Sequence, residues 1–206
     1  MIGERQELGH GAYIDHARGF LASEAAANAF AQLRGELSWE AREIVLFGRR
    51  ILQPRLIAWG GPLPYRYSGQ TLPPRPLPPC TAALLGQVTE QLGVPFNHVL
   101  ANLYRNGDDS MGMHADAEPE LGVDPVVATL SLGATRRMRV APRKGVDGAP
   151  RDIELGAGDL LVMGGTCQRY FLHGIPRVRS RGDLPGEAVA ERISLTLRDV
   201  KRAPVT

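Results

Sequence analysis

From residue 99 onward the chain is built of short runs rich in β-branched and apolar residues. The runs are VLANLYRN (99–106), VVATLSLG (126–133), RMRVA (137–141), DLLVMGG (159–165) and RISLTLRDV (192–200). Gly, Pro, Asp and Asn residues separate them, and no helical pattern lies between them. Many short strands without intervening helices favour antiparallel sheets that close into a jelly roll or barrel.

Two helices are expected before these runs, packed outside the sheets. Ser23 can cap the first helix, and the second begins near Thr81 and stops at Gly93. Between them, TLPPRPLPPC (71–80) contains five prolines, which cannot pair in a central strand, so this segment is interpreted as a rigid connector. The apolar positions at helical spacing are Ala26, Phe30, Leu33 and Leu37 in the first helix and Leu84, Leu85, Val88 and Leu92 in the second. The fold class expected is therefore mainly β with flanking helices (α+β).

Length and composition predict one domain over residues 1–206. The chain has 206 residues, of which 43% are hydrophobic, enough for a single substantial core. No signal-like start and no long apolar window are present, so we expect a soluble protein without a membrane partner. Cys80 and Cys167 lack C-x-x-C spacing and are interpreted as free thiols in a reducing compartment. We expect a cytoplasmic monomer.

The net charge is only +2, but the charges are unevenly distributed, and only Lys144 and Lys201 among the 24 cationic side chains are lysines. Arginine grips phosphate bidentately, so the arginine clusters could bind a nucleic-acid backbone, or they could form a solvated face. The acidic group is Asp108, Asp109, Asp116, Glu118, Glu120 and Asp124; the basic groups are Arg136, Arg137, Arg139, Arg143 and Lys144, and Arg177, Arg179 and Arg181.

The segment MHADAEPELG (113–122) raises the question of a metal site. On a strand, residues two apart project to the same face, so His114 and Asp116 could both point into the mouth of a barrel. His173 in RYFLHGIP ends an apolar run and is a third candidate ligand. Two histidines and one carboxylate form the facial triad that holds Fe(II). Each histidine taken singly also fits a surface or hydrogen-bonded core position.

The last run alternates between an apolar and a polar face. Arg192, Ser194, Thr196 and Arg198 face one way, opposite Ile193, Leu195 and Leu197. The polar face could be half solvated, or it could line a lumen that holds a dicarboxylate, because a buried carboxylate needs an arginine fork and hydroxyl donors. By the same alternation, Asn102 and Tyr104 share one strand face.

The order of motifs is more specific than any one of them. It runs N-L-Y-R-N (102–106), H-x-D-x-E (114–118), S-L-G-A-T-R (131–136), G-D-L-L-V-M (158–163), H-G-x-P (173–176) and R-x-S-L-T-L-R (192–198). This order resembles the AlkB family of Fe(II)- and 2-oxoglutarate-dependent dioxygenases, which remove alkyl groups from nucleobases. QPRLIAWGG (53–61) and PYRYSG (64–69) resemble the family's substrate lid, so the similarity spans roughly residues 18 to 200.

The resemblance implies a double-stranded β-helix fold, with residues 53–80 as a nucleotide-recognition lid. It also implies a cofactor set of Fe(II), 2-oxoglutarate and O2, with nucleic acid as the partner: alkylated DNA and, as a further substrate, RNA. The metal ligands implied are His114, Asp116 and His173. The 2-oxoglutarate site implied is Asn102, Tyr104, Arg192, Ser194 and Arg198, with Arg192 on the distal carboxylate. The substrate contacts implied are Trp59, Tyr65, Arg66, Tyr67 and Glu118, although Trp59 and the tyrosines also fit core aromatics and Glu118 fits a charged loop.

The implied reaction is oxidative demethylation of bases such as 1-methyladenine and 3-methylcytosine, releasing formaldehyde, succinate and CO2. Two positions depart from the family pattern. Ala117 replaces an acid after the metal aspartate, and Gly60 replaces an aromatic residue next to the presumed pocket. These departures leave open an oxygenase acting on a non-nucleic substrate. A non-catalytic nucleic-acid-binding module is a further alternative.

Overall fold

A computed structural model describes residues 3–46, 49–178 and 189–202. Arg179 and Arg181 of the second basic group lie outside the described residues. The helices are α1 (Ser23–Glu36), α2 (Pro79–Leu92) and α3 (Cys167–Tyr170). The strands are β1 (Glu4–Gly9), β2 (Ala12–Ala17), β3 (Glu43–Leu46), β4 (Arg49–Leu52), β5 (Leu56–Gly60), β6 (Tyr65–Tyr67), β7 (Gln70–Leu72), β8 (His98–Tyr104), β9 (Met111–His114), β10 (Val127–Gly133), β11 (Arg136–Pro142), β12 (Arg151–Leu155), β13 (Leu160–Gly165), β14 (Phe171–Ile175) and β15 (Arg192–Arg198).

Two antiparallel sheets form the body of the fold. The larger has the order β1-β2-β13-β10-β15-β8-β5, and the smaller has the order β12-β11-β14-β9. The hairpins β3–β4 and β6–β7 form two further two-stranded sheets. This arrangement confirms the expected mainly β fold with flanking helices, in the double-stranded β-helix (jelly-roll) class.

The two faces of the larger sheet pack against different layers. One face carries Ala101, Leu130 and Leu195, which form a buried cluster with residues of α1 and α2. The opposite face meets the smaller sheet through a second cluster that includes Leu161 and Met138. The helices therefore cover the outside of the sandwich, whereas Asn102 of β8 and Arg192, Ser194 and Arg198 of β15 face the space between the sheets. Among the helices of the described residues, none combines the length and the apolar character that a bilayer crossing demands.

The prediction that only helices precede the β-rich region is wrong. The hairpin β1–β2 comes first, and β2 pairs with β13 inside the larger sheet. The strand is hard to recognise because it contains the buried polar residues Asp15, which accepts from Arg5 on β1 (2.7 Å), and His16, which contacts Asp159 (3.2 Å). Asp159 is 143 residues away, so no local signal shows that His16 can be buried in a strand.

The helix starts also differ from the prediction, whereas one helix end agrees with it. Ala22, not Ser23, occupies the N-cap of α1, and no side chain caps that helix. The Leu21 N–H donates to the Gly158 carbonyl (3.0 Å), which fixes the chain so that the helix begins directly afterwards. α2 begins at Pro79, where a missing N–H costs nothing. It ends as predicted at Gly93, in the left-handed conformation (φ 65°).

Candidate metal and keto-acid site

His114, Asp116 and His173 converge in space. His114 ends β9, Asp116 follows in the next loop, and His173 pairs with His114 across β9 and β14. One donor atom from each of the three side chains lies within 4.8 Å of the others. The two imidazole centroids are 4.3 Å apart. Two nitrogen donors and one oxygen donor on one side of a point form the facial arrangement that suits Fe(II) and leaves further positions open.

Both histidines have the protonation state that a metal ligand needs. His114 Nδ1 lies 3.0 Å from the Gly112 carbonyl, which can only accept, so Nδ1 carries the proton and Nε2 keeps its lone pair. Burial lowers the pKa of His114, and it lowers the pKa of His173 to about 3. The rings are therefore neutral at physiological pH and free to donate electron pairs.

The Asp116 carboxylate is oriented by an arginine. Arg198 Nη2 donates to Asp116 Oδ1 at 2.6 Å, and both side chains are buried. The other oxygen, Oδ2, has no hydrogen-bond partner among the described residues and lies 3.6 Å from His173 Nε2. Burial acts to raise the pKa of Asp116, but Arg198 and the two histidines outweigh it and lower that pKa to about 2. The free oxygen is therefore an ionised ligand aimed at the histidines.

Arg192 supplies an unused cation in the same cavity. Its side chain is fully buried, and Nε donates to Ser131 Oγ at 2.9 Å. The two Nη atoms have no partner among the described residues, and the guanidinium carbon lies 5.3 Å from the Tyr104 ring centre. Burial lowers the pKa of Arg192 to about 10. A buried guanidinium group with two free Nη donors can bind a carboxylate, because an arginine–carboxylate pair forms two parallel charge-assisted hydrogen bonds.

One cavity between the sheets joins the metal ligands to Arg192. The predicted residues Asn102, Tyr104, Ser194 and Arg198 also line this cavity. The prediction that these alternate residues of β8 and β15 share one strand face is therefore confirmed. The remaining lining residues are Met111, Thr129, Met138, Gly174, Ile175 and Thr196. The donor set of the triad fits Fe(II), and the two Nη donors of Arg192, which are free among the described residues, fit the distal carboxylate of a keto acid. The individual roles of these residues toward bound cofactors stay predictions.

The predicted substrate residues fall into different environments. Tyr65 and Tyr67 are buried, and Arg66 between them is exposed, because β6 alternates inward and outward. The Tyr67 hydroxyl accepts from Arg55 Nη2 at 2.5 Å. Burial raises the pKa of Tyr65 beyond its ordinary value, and nearby Glu118 adds to that effect while Arg198 opposes it. Tyr65, Glu118 and Arg198 therefore lie together beside the metal ligands.

Trp59 packs as a core aromatic residue. Arg75 covers its ring at 3.6 Å from the centroid, and the indole Nε1 donates to the Pro73 carbonyl at 2.9 Å. Of the two interpretations left open for Trp59, the structure favours the core one. β5 itself belongs to the larger sheet, so within 53–80 the hairpin β6–β7 and the proline-rich segment are the parts outside the main sheets.

The expectation that Gly60 removes an aromatic side chain beside the pocket stays a prediction. A Cβ atom at Gly60 would lie 2.6 Å from Leu77 Cδ2 and 3.3 Å from the Pro76 carbonyl. This position faces the proline-rich segment, where the flexible Leu77 side chain would have to shift to admit a larger residue. Gly60 is not among the residues that line the cavity between the sheets. Ala117, in contrast, is exposed next to Asp116.

Two residues that support the site were not identified from the sequence. Arg55 is buried and donates to Asn102 Oδ1 (2.9 Å), to the Tyr67 hydroxyl and to the Ser110 carbonyl (3.2 Å). Gln168, on α3, accepts the backbone N–H of Asp116 at 2.9 Å. Arg55 stands inside the quoted segment QPRLIAWGG, but nothing local shows that it is buried. For Gln168 the sequence offers no signal, since its partner is 52 residues away.

The first basic group is largely occupied by internal contacts. Arg136 is buried and donates to the carbonyls of Asn106, Asp109 and Pro176. Arg137 and Arg139 both pair with Asp152, at 3.2 and 3.5 Å. These contacts weaken the interpretation of this group as a phosphate-binding cluster.

Comparisons with known proteins agree with this geometry. The family model described as the 2OG-Fe(II) oxygenase superfamily matches residues 14–198. The bovine alpha-ketoglutarate-dependent dioxygenase alkB homolog 3 is 38% identical over 194 residues, covering 90% of this chain and 65% of that protein. The mouse DNA oxidative demethylase ALKBH2 is 32% identical over 166 residues, covering 77% of this chain and 66% of that protein. The chain thus spans slightly less than two thirds of the length of these relatives.

A solved structure titled "The structure of OsALKBH1" shares the fold, with a TM-score of 0.62 and 17% sequence identity over 94% of this chain and all of that one. The family match extends from β2 to the end of β15, so it includes the three metal-ligand positions and both cavity arginines. The resemblance read from the order of motifs is thereby confirmed, and the chain belongs to the 2OG-Fe(II) oxygenase superfamily, within its AlkB family.

Proposed function

We propose that this protein is an Fe(II)- and 2-oxoglutarate-dependent dioxygenase that demethylates alkylated nucleobases of the 1-methyladenine and 3-methylcytosine type in DNA, with RNA as a further substrate. One observation carries the proposal: an intact His-Asp-His triad lines the same cavity as a buried arginine whose two Nη atoms have no partner among the described residues. The names of the bovine and mouse relatives support the same reaction class. A binding module without catalysis has no use for either feature.

His114, Asp116 and His173 would hold the iron, and Arg192 would hold the distal carboxylate of 2-oxoglutarate. When bound, Fe(II), 2-oxoglutarate and O2 supply an oxidation that hydroxylates the N-methyl group while 2-oxoglutarate becomes succinate and CO2, and the hydroxymethyl group leaves as formaldehyde. The restored base needs no further chemistry.

The protein's own residues supply position and exclusion of water. Arg198 fixes the rotation of the Asp116 carboxylate through Oδ1 and leaves Oδ2 for the metal. Gln168 holds the backbone of the same aspartate, and Arg55 holds the amide of Asn102. Met111, Met138 and Ile175 form apolar walls of the cavity, so a bound keto acid replaces water rather than sharing the space with it.

The base would enter beside Glu118 and Tyr65, which border the metal ligands. A base stacked in a duplex must be flipped out to reach such a site, at a cost of a few kcal/mol that is smallest for single-stranded or damaged bases. Alkylated bases that cannot pair are therefore already favoured.

A second candidate function is oxidation of a non-nucleic substrate, motivated by Ala117 at a position where family members carry an acid. The two functions are separated by a panel of singly modified DNA and RNA oligonucleotides tested with Fe(II) and 2-oxoglutarate. Loss of a methyl mass together with formaldehyde release supports base demethylation. The second candidate is supported if a non-nucleic compound stimulates succinate release and no oligonucleotide does.

We further propose the monomeric state, the cytoplasmic location, the single domain over residues 1–206 and the lid over residues 53–80. Light scattering coupled to size-exclusion chromatography tests the monomer directly.

A further inference from the structure

Among the described residues, more than half of the arginines that are not buried are held by acidic partners. Side-chain ion pairs of 2.7–3.6 Å hold nine of them: Arg5, Arg34, Arg42, Arg50, Arg75, Arg105, Arg137, Arg139 and Arg169. A phosphate group would have to compete with these carboxylates. The exposed cations without an acidic partner among the described residues are therefore the ones available to a polyanion.

Three such cations line a single groove. Arg66, Lys201 and Arg202 are exposed and form no ion pair within the part of the chain that the structure describes. They border one groove, which we call the Arg66–Lys201 groove; its other lining residues are Leu63, Pro64, Thr71 and Glu120. Three cations against one carboxylate leave this groove positive.

The local structure explains why these residues meet. β6 turns Tyr65 and Tyr67 inward, so Arg66 must point outward. After β15 the chain continues past buried Val200, and the Lys201 N–H donates to the Glu120 carbonyl at 2.8 Å. This bond holds the C-terminal segment against the turn Pro119–Leu121 and places it opposite the hairpin β6–β7.

The groove adjoins the candidate site. Lys201 follows Arg198 by three residues, a distance of about 10 Å along an extended chain. Glu120 follows Asp116 by four residues, and Tyr65, next to Arg66, lies beside Arg198 with its ring centre 5.3 Å from the guanidinium carbon. The groove and the site are therefore joined by short stretches of chain on three sides.

We propose that the Arg66–Lys201 groove binds the phosphodiester backbone of a single nucleic-acid strand beside the base that enters the site. This inference rests on the proposed function, because it takes the site's substrate to be a nucleic acid. The three cations contact phosphates, and Leu63 and Pro64 offer an apolar floor to the sugars. Neutralising phosphates releases counterions, so the contribution of the groove depends on salt.

The test is binding of a fluorescent single-stranded oligonucleotide that contains one 3-methylcytosine, measured by anisotropy from low to high salt. The variant Arg66→Gln/Lys201→Gln removes two groove cations. Each lost phosphate contact should reduce the slope of log K against log salt by about 0.7, so we expect a reduction of between about 1 and 2. A slope and affinity equal to those of the unmodified protein would overturn the proposal.

A matched control removes the same number of charges elsewhere. Arg18, after β2, and Arg151, on β12, are exposed and form no ion pair with an acidic side chain in the described part of the chain. Arg18→Gln/Arg151→Gln should leave the slope within a few tenths of the original. An equal fall in both variants would show a non-local charge effect and would also overturn the groove.

A formaldehyde assay on the same oligonucleotide separates the two proposals. If the unmodified protein binds with a slope that the groove variant reduces but releases no formaldehyde, the groove stands and the proposed function fails. If the protein releases formaldehyde and the slope is unaffected by the variant, only the groove fails. Cobalt(II) binding by the variant, unchanged from the original, verifies that the site has remained folded.

Discussion

One oxygen of Asp116 accepts a hydrogen bond from Arg198 at 2.6 Å, and the other faces His173 Nε2 at 3.6 Å without a hydrogen-bond partner among the described residues. The carboxylate is thereby divided between an orienting contact and a ligand position. The positive charge of Arg198 helps to keep the carboxylate ionised although it is buried. This division also makes Arg198 a positioning residue for the metal, whatever contact it makes with a keto acid.

Replacing Arg198 should therefore weaken metal binding itself. In Arg198→Gln the Asp116 carboxylate loses its charge-assisted partner and can rotate, so we expect cobalt(II) affinity to fall by about 10–100-fold. Titration of the visible absorption of cobalt(II) without 2-oxoglutarate measures this effect. Arg151→Gln is the control and should leave cobalt affinity unchanged, whereas an unaltered affinity in Arg198→Gln would show that Asp116 needs no such partner.

Gln168 should influence the metal site through the backbone. Its side-chain carbonyl accepts the Asp116 N–H from α3, the helix that leads directly into β14 and His173. Gln168→Met keeps the length of the side chain and removes the acceptor, and it should lower cobalt affinity about 10-fold or more and shift the absorption bands. Gln168→Glu keeps an acceptor and should restore part of the affinity. A Met variant with the original spectrum would contradict this role.

Replacing Arg192 should weaken 2-oxoglutarate binding without lowering the stability of the ligand-free protein. In Arg192→Met the fork for a carboxylate is lost, and because hydrogen bonds to charged groups contribute about 1.5–3 kcal/mol each, 2-oxoglutarate binding should weaken at least 100-fold. The lowered pKa of Arg192 shows that folding disfavours its charged form, which is the form present below that pKa, so the buried charge costs stability across neutral pH. The ligand-free variant should unfold at the same temperature or higher.

Calorimetry of both forms tests this prediction, with 2-oxoglutarate stabilising the original protein and leaving the variant unchanged. A variant that is strongly destabilised without ligand would contradict the view that Arg192 is an uncompensated charge awaiting an anion. Isothermal titration gives the affinities.

Asp159 should stabilise the fold in a pH-dependent way. Its carboxylate accepts from the N–H groups of Gly19 and Gly156, both at 2.9 Å, and contacts His16 at 3.2 Å. Burial acts to raise the pKa of Asp159, but these contacts outweigh it and lower the pKa below its ordinary value. The stabilisation is therefore fully present above the unfolded pKa of about 3.9 and is lost as pH falls through the folded pKa.

Asp159→Asn should reduce the free energy of unfolding by about 1–3 kcal/mol at neutral pH. The difference from the original protein should shrink below about pH 4. Urea denaturation at several pH values measures both. Asp152→Asn, at an exposed ion pair, is the control and should cost no more than about 1 kcal/mol. Equal losses in the two variants would contradict the structural role of Asp159.

The sequence was most informative where a regular pattern had one physical cause. In β15 the alternation of Arg192, Ser194 and Arg198 with apolar residues arises because one face meets helices and the other meets the cavity, and both faces were predicted. The same holds for Asn102 and Tyr104 on β8. The convergence of His114 and Asp116 with His173 followed from the type and spacing of residues known to bind iron together with the motif order.

The sequence was least informative where burial depends on distant partners. β2 contains the polar residue His16, which is buried against Asp159, 143 residues further along the chain, so the sequence does not predict this strand. For Trp59 the sequence leaves a base contact and a core position open, and only the structure shows that Arg75 covers its ring. Gln168 and Arg55 act through hydrogen bonds to residues about fifty positions away, so no local sequence pattern predicts their roles.

The central claim is that this cavity removes methyl groups from nucleobases, and its most direct test is the mass of a 3-methylcytosine oligonucleotide after incubation with the protein, Fe(II), 2-oxoglutarate and O2. We predict restoration of cytosine with one formaldehyde and one succinate per base, and no restoration with His173→Ala. An oligonucleotide of unchanged mass under conditions in which the protein binds both Fe(II) and 2-oxoglutarate, or full activity in His173→Ala, would contradict the claim.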